Sequence, residues 1–404
     1  MKNNPVVRGL RAANDWIFGY GSPVTFGVFR ILMASILFAN FCMIAIDFDA
    51  WFSERGYVPW HVASEWMGPT WRVNLLAGVT DTRIVAAFYA LVTVSAFLTA
   101  IGLWTRPASI ILCIGTITLH HRNPIILHGG DTLMRACAFY LAIGPSGASC
   151  SVDRLIRLWK GKETGPPRDV SLWPQRMIQF QMAVIYFTTV WSKWFGTAWR
   201  DGTAAWYPAN LREFDRFPVP EFLHRQPFLA LETYSTLLVE LALATLVFCK
   251  PLRKWVLLSG LALHGFIEYS MNIPLFAFAM CSLYISHYMG DEIVGWAKRM
   301  GERLKRFAVR VATPAGQVLA TGPGRALEAA DAFDLVTYTQ GDASDWVAEK
   351  QASGSKLGAC WASWSRSLGG WILAPFWLAM LKRALVPTRA ATPEPVEEPE
   401  SVRT

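Results

Sequence analysis

The sequence predicts an all-α polytopic membrane protein: a bundle of about eight transmembrane helices with a small mixed cytoplasmic C-terminal appendage. Three observations predict it. Of 404 residues, 53% are hydrophobic and 17% charged, a balance that suits a membrane-embedded chain better than a soluble globule. About eight apolar runs approach the roughly 20 residues needed to cross ~30 Å of hydrocarbon. The chain also carries 19 Trp, many at the edges of those runs, where the indole ring prefers the membrane–water boundary.

The runs are about 24–46, 84–104, 107–127, 130–145, 176–196, 228–249, 254–273 and 274–290. Pro or Gly marks many of their ends: Pro23, Pro107, Pro145, Pro174, Pro251, Pro274 and Gly290, residues that punctuate helices. The segment 1–23 is a cytoplasmic or interfacial lead-in. Within it Arg8 and Arg11 precede Trp16, Ile17 and Phe18, the composition of a short helix lying in the interface. The membrane domain is 24–292 and the appendage 293–386. In the appendage, 307–321 reads as two short strands around a Pro-Ala-Gly turn, 324–351 as a polar helix and loop, and 369–386 as an amphipathic or core segment. Residues 387–404 are rich in Pro, Glu and Thr and are expected to be disordered.

Net charge is +8. With eight spans, Arg154, Arg157, Lys160 and Lys162, then Lys250, Arg253 and Lys254, then Lys298, Arg299 and Arg303 all fall on one side. Basic loops stay in the cytoplasm, so both termini are expected inside, with the chain a multi-pass protein of the plasma membrane. No basic stretch is interleaved with aromatics, which argues against a nucleic-acid partner. The seven Cys form no CxxC or similar pair, so neither a disulfide framework nor a redox motif is expected. Most lie in apolar runs and read as small buried hydrophobes.

The functional argument starts from polar residues inside the apolar runs. His120, His121, Arg122 and Asn123 interrupt the third run, Lys193 the fifth, and His264, Glu268 and Asn272 the seventh. A charge at membrane depth costs about 3 kcal/mol on insertion scales, so such groups face a protein interior or a wet cavity and mark function. In an outward-running arrangement the three clusters lie at one depth near the outer face. His264, Glu268 and Asn272, spaced by four, are expected to share a helix face.

Each group also has a plainer reading. Lys193, near a span end, either snorkels to the headgroups or acts as a desolvated base. His128-Gly-Gly-Asp131 reads as a turn opening the fourth span with Asp131 as helix N-cap. Arg122 is expected to pair with Asp131 or Glu268, Arg135 to need a partner on the Asp131 face, and Glu268 with His264 to form a relay or a structural hydrogen bond. Arg30 is expected to snorkel to the cytoplasmic interface, and Gln175, Gln179 and Gln181 to join helices. No standard zinc spacing occurs, and adjacent His120 and His121 point ~100° apart on a helix, so no metal site is expected.

The stretch LHHRNPIILHGGDTLMRACAFYLAIGPSGASCSVDR (119–154) resembles the signature of the HTTM family, the horizontally transferred transmembrane domain, which includes the membrane part of vitamin K-dependent gamma-carboxylase. IYFTTVWSKWFGTAWRDGTAAWY (185–207) resembles its second block and LHGFIEYSMNIPLFAFAMCSLY (263–284) its third. The resemblance covers about residues 20–292. It implies chemistry on a reduced quinone, with Lys193 matching the lysine that acts as base and either His121 or His128 matching the assisting histidine. The carboxylase's large lumenal domain has no counterpart here, which puts carboxylation of protein glutamate in doubt.

Three functions compete. One is a carboxylase-like enzyme acting on a quinol or other apolar substrate at the extracytoplasmic face. Another is a non-catalytic partner in maturation, export or immunity of another protein, docking through the outer loop 47–83 with Trp51, Tyr57, Trp60, Trp66 and Trp71. A transporter ranks last, because no internal repeat is found.

Overall fold

The computed structural model describes residues 5–68, 71–313, 322–340, 347–348, 361–362 and 364–367. They divide into two compact units: residues 1–157 with 165–296, and residues 158–164 with 297–404.

The helices are α1 (Pro5–Phe18), α2 (Val24–Ala45), α3 (Phe48–Phe52), α4 (Trp60–Met67), α5 (Thr82–Ile101), α6 (Thr105–Arg122), α7 (Gly129–Ile143), α8 (Val152–Trp159), α9 (Trp173–Phe195), α10 (Thr197–Arg200), α11 (Trp206–Ala209), α12 (Gln226–Thr245), α13 (Lys250–Ser270), α14 (Phe276–Ser282) and α15 (Gly290–Leu304). A helix therefore lies in each of the eight apolar runs. Three, namely α2, α5 and α12 with its 3-10 extension to Phe248, are long and apolar enough by length and composition to cross a membrane. The interfacial segment read at Trp16–Phe18 forms the end of α1.

Local chemistry sets the ends. The Asp81 carboxylate accepts the Arg83 backbone N–H at 2.9 Å and caps α5. Gly102, at φ +73°, closes the same helix in the left-handed conformation, which costs glycine least. Pro174 sits in the first turn of α9, where its missing N–H has no partner to lose. Phe29, Met33 and Leu37 recur at four-residue intervals on α2 and are fully buried. They join Val85, Val92 and Ala96 of α5 in one core. The outer faces of the same helices expose Leu32, Leu91, Val94 and Phe97. Such all-round apolar helices belong in a lipid surrounding. At Gly115 a Cβ would lie 2.2 Å from Val92 Cγ2, so the close approach of α6 to α5 requires glycine.

Buried polar side chains tie these helices together. Gln175 Nε2 donates to the Ser286 carbonyl at 2.7 Å, and Tyr140 Oη donates to Gln181 Oε1 at 3.0 Å, as expected of bundle amides. Arg30 departs from expectation. Its side chain is fully buried. It donates to the Ser146 carbonyl at 3.0 Å and to the Cys150 carbonyl, so it clamps a turn instead of snorkelling. Cys113 and Cys137 are buried, whereas Cys42, Cys150 and Cys249 are exposed, fewer buried thiols than their apolar neighbourhoods implied.

In the second unit, β1 (Val309–Thr313) lies parallel to β2 (Val336–Gln340) and antiparallel to the short strand Val347–Ala348. The helix Gly322–Ala330 lies between β1 and β2 in sequence. Only the first of the two strands expected in 307–321 is seen, since 314–321 lie outside the described residues. The parallel partner comes from 336–340, a stretch read as loop. Its VTYT sequence is β-branched and aromatic, the composition of a strand, and its polar alternation hid that. The expectations for 369–386 and 387–404 also lie outside the described residues.

Candidate functional site

A cavity of about 1060 Å³ opens among α7, α9, α12, α13 and α14, with the segment after α9 along one side. Most of its wall is apolar, including Leu133, Ile185, Val239, Leu263 and Phe276. Two of the polar clusters singled out in the sequence meet here, Lys193 from α9 and His264 from α13.

Lys193 Nζ forms an ion pair with Glu240 Oε1 of α12. The other carboxylate oxygen, Oε2, accepts the Thr189 hydroxyl at 3.3 Å. Nζ also lies 4.9 Å from the centre of the Trp199 ring, a cation–π distance. The ammonium is thus held from two sides, and the lysine does not reach freely for headgroups. Beside this pair, Tyr186 Oη lies 2.7 Å from His264 Nε2 and 3.0 Å from Tyr284 Oη. Both tyrosines and the histidine are buried. Gly260 leaves room for Tyr284, whose hydroxyl would be 2.5 Å from a Cβ there.

The hydrogen-bond count fixes how this chain of hydroxyls runs. If Tyr284 donates to Tyr186 and Tyr186 donates to His264 Nε2, only His264 Nδ1, which has no partner, is left unsatisfied. The opposite direction would strand the Tyr284 proton as well. Burying an unpaired donor costs about 1–3 kcal/mol, so the first direction is favoured.

The remaining sequence-predicted residues lie elsewhere. His121 Nδ1 is 2.8 Å from the Val73 carbonyl, and its Nε2 is 3.4 Å from Arg135 Nη1. Arg135 therefore finds its partner in His121 and not on the Asp131 face alone. Arg122 pairs with Glu54 at 2.9 Å, not with Asp131 or Glu268. Asn123 Nδ2 donates to the Trp51 carbonyl at 2.8 Å. His120 is buried on the same helix with Nδ1 unpartnered. His121, Arg122 and Asn123 anchor the segment between α2 and α5.

His128, not Asp131, is the N-cap of α7. Its Nδ1 accepts the Gly130 N–H at 2.9 Å, while the Asp131 carboxylate accepts the His128 N–H at 2.8 Å. Asp131 completes a capping box from within the first turn. The cavity wall includes Gly129 but neither His128 nor His121. Glu268 pairs with Arg216 and not with His264, so the expected relay between them is not formed. α13 ends at Ser270, and Asn272 is an exposed residue beyond it. The three-residue face on α13 therefore stops at Glu268. Among the described residues, no group of three or more His, Cys, Asp or Glu is placed to hold a metal ion.

Sequence reasoning missed Glu240, Thr189, Tyr186 and Tyr284. Glu240 carried a usable signal, a carboxylate inside the apolar run 228–249. Tyr186 and Tyr284 carried none, because a tyrosine in an apolar run is ordinary.

The fold and site together define a helical membrane protein with a largely apolar cavity carrying a half-buried cation, a carboxylate and an imidazole. The HTTM domain family model matches residues 22–289, and the chain belongs to that family. No curated protein and no solved structure matches it.

Proposed function

We propose that this HTTM-domain protein is a multi-pass enzyme of the plasma membrane. It has eight spans and both termini inside, and acts on a quinol or another apolar substrate from the extracytoplasmic side. The topology rests on the basic segments at 154–162, 250–254 and 298–306 and the positive-inside rule. The observation that carries the chemistry is the meeting of Lys193, Glu240 and His264 on one mostly apolar cavity. Ligand sites are typically apolar pockets with a few convergent polar groups. At about 1060 Å³ this one is just above the ~300–1,000 Å³ range for drug-sized ligands, which suits a ring bearing an apolar tail.

Lys193 is the base. It takes a proton from an acidic hydroxyl of the ligand. His264, oriented by Tyr186, is the histidine placed to stabilise the oxyanion formed. A reduced quinone would supply such hydroxyls and the reducing electrons. His121 and His128, the histidines nearest the family motif, support this site through the architecture around α6 and α7. His120, Arg122, Asn123, Asp131, Glu268 and Asn272 take no part in the proton transfer.

The test is quinol-dependent oxygen uptake by purified protein in lipid nanodiscs. Lys193→Ala is expected to abolish it, and Lys193→Arg to do the same, since guanidinium stays protonated. Full uptake in Lys193→Ala removes the assigned base.

A second reading, a non-catalytic partner in maturation, export or immunity of another protein, is favoured by the outer segment 47–83. Tyr57, Trp66 and Trp71 are 75%, 66% and 88% exposed there, and exposed Trp and Tyr are preferred contact residues at interfaces. This reading predicts that Trp66→Ala with Trp71→Ala abolishes function in the cell while Lys193→Ala does not.

A further inference from the structure

We propose that Glu240 is the positioning residue for Lys193, and that the two share one proton as a unit; this rests on the reading of Lys193 as base. Four features of the site support it. The Lys193 ammonium and the Glu240 carboxylate are in direct contact across α9 and α12. The glutamate is 8% exposed. Its second oxygen lies 3.3 Å from the Thr189 hydroxyl, whose nearer acceptor is the Tyr186 carbonyl at 2.9 Å, and the ammonium lies against Trp199. The ammonium is thus held in place from two directions. Both side chains also line the cavity, so the pair faces the ligand.

The proton balance is simple. The resting pair holds one proton, as ammonium and carboxylate or as amine and carboxylic acid. With the proton on Glu240, the Lys193 amine has a free lone pair. It forms a new N–H bond with the ligand proton as the ligand O–H bond breaks, and the electron pair stays on the ligand oxygen. The pair then holds two protons and one positive charge, which balances the oxyanion beside it. Return of one proton restores the resting state. Without Glu240 the amine has no fixed direction and no internal site for its proton.

The experiment uses the full chain in nanodiscs with a lipophilic amine-acylating reagent at pH 8. Acylated Lys193 is counted by peptide mass spectrometry, and oxygen uptake is measured in parallel. Glu240→Gln frees the Lys193 nitrogen from its ion pair and should therefore be acylated faster, while its kcat falls at unchanged KM. Glu240→Asp, which keeps the carboxylate, should recover part of kcat. Thr189→Val, a smaller perturbation, should fall between parent and Glu240→Gln in acylation rate and serves if Glu240→Gln fails to fold. Acylation of Glu240→Gln at the parent rate or slower overturns the proposal, as does an unchanged kcat. Full uptake in Lys193→Ala would remove the base reading instead, and the acylation rates separate the two failures.

Discussion

Arg122 is a buried and heavily engaged charge. It is 3% exposed. It donates to the Leu76 carbonyl at 3.2 Å, the Val79 carbonyl at 2.7 Å and Glu54 at 2.9 Å, and it stacks 5.7 Å from the centre of the Trp60 ring. Replacing it by Met keeps length and apolar volume but strands the Val79 carbonyl, while the Leu76 carbonyl keeps the Val79 N–H at 3.1 Å. At about 1–3 kcal/mol for an unsatisfied buried group, the loss is about 1–3 kcal/mol. Glu54 adds little, because it is partly exposed and still accepts the Trp60 N–H at 3.2 Å. Removing the charge also recovers some desolvation cost, so the expected loss is about 2 kcal/mol. Glu54→Gln keeps both carbonyl contacts and should cost only about 1 kcal/mol. The assay is denaturant unfolding in detergent micelles, followed by tryptophan fluorescence, with limited proteolysis of 47–83 as a local readout. Arg122→Met costing under about 0.5 kcal/mol, or Glu54→Gln costing more than Arg122→Met, would refute the reasoning.

Other changes have defined outcomes. Arg30→Met, which removes the clamp on the Ser146 and Cys150 carbonyls, should lower unfolding stability by about 2–5 kcal/mol. Gly260→Ala should push Tyr284 off Tyr186, costing about 1–3 kcal/mol in thermal unfolding and lowering any His264-dependent activity. At Asp81 the Arg83 backbone N–H, with its guanidinium, holds the carboxyl below its ordinary value of 3.8. A depressed folded value stabilises above the unfolded one and is lost as pH falls through the folded one. The melting-temperature advantage of the parent over Asp81→Ala should therefore be full above about pH 4 and shrink as acid is added below it.

The apolar runs made the helices legible, since a run bounded by Pro or Gly specifies a helix almost by itself. The site was half legible. Lys193 and His264 stood out as polar residues in apolar surroundings, and they do meet. His120–Asn123 stood out equally and do not join them. Depth along a helix is readable from sequence, but the direction in which its face turns is set by packing against neighbours. Arg122 thus faces the segment between α2 and α5, while His264 faces α9. The Tyr284–Tyr186–His264 chain depends on three separate helical segments and has no local signature. Strand 336–340 was missed because its parallel partner is supplied by a segment more than twenty residues earlier.

The central claim is that the cavity beside Lys193 takes up an apolar molecule. Equilibrium binding of a radiolabelled naphthoquinone to the purified protein tests it most directly, comparing parent with Ala136→Trp. Ala136 lines the cavity, so an indole there should occlude it. The account predicts saturable binding by the parent and at least a tenfold loss in Ala136→Trp, about 1.4 kcal/mol or more. Equal binding by both proteins, or none by the parent, would contradict it.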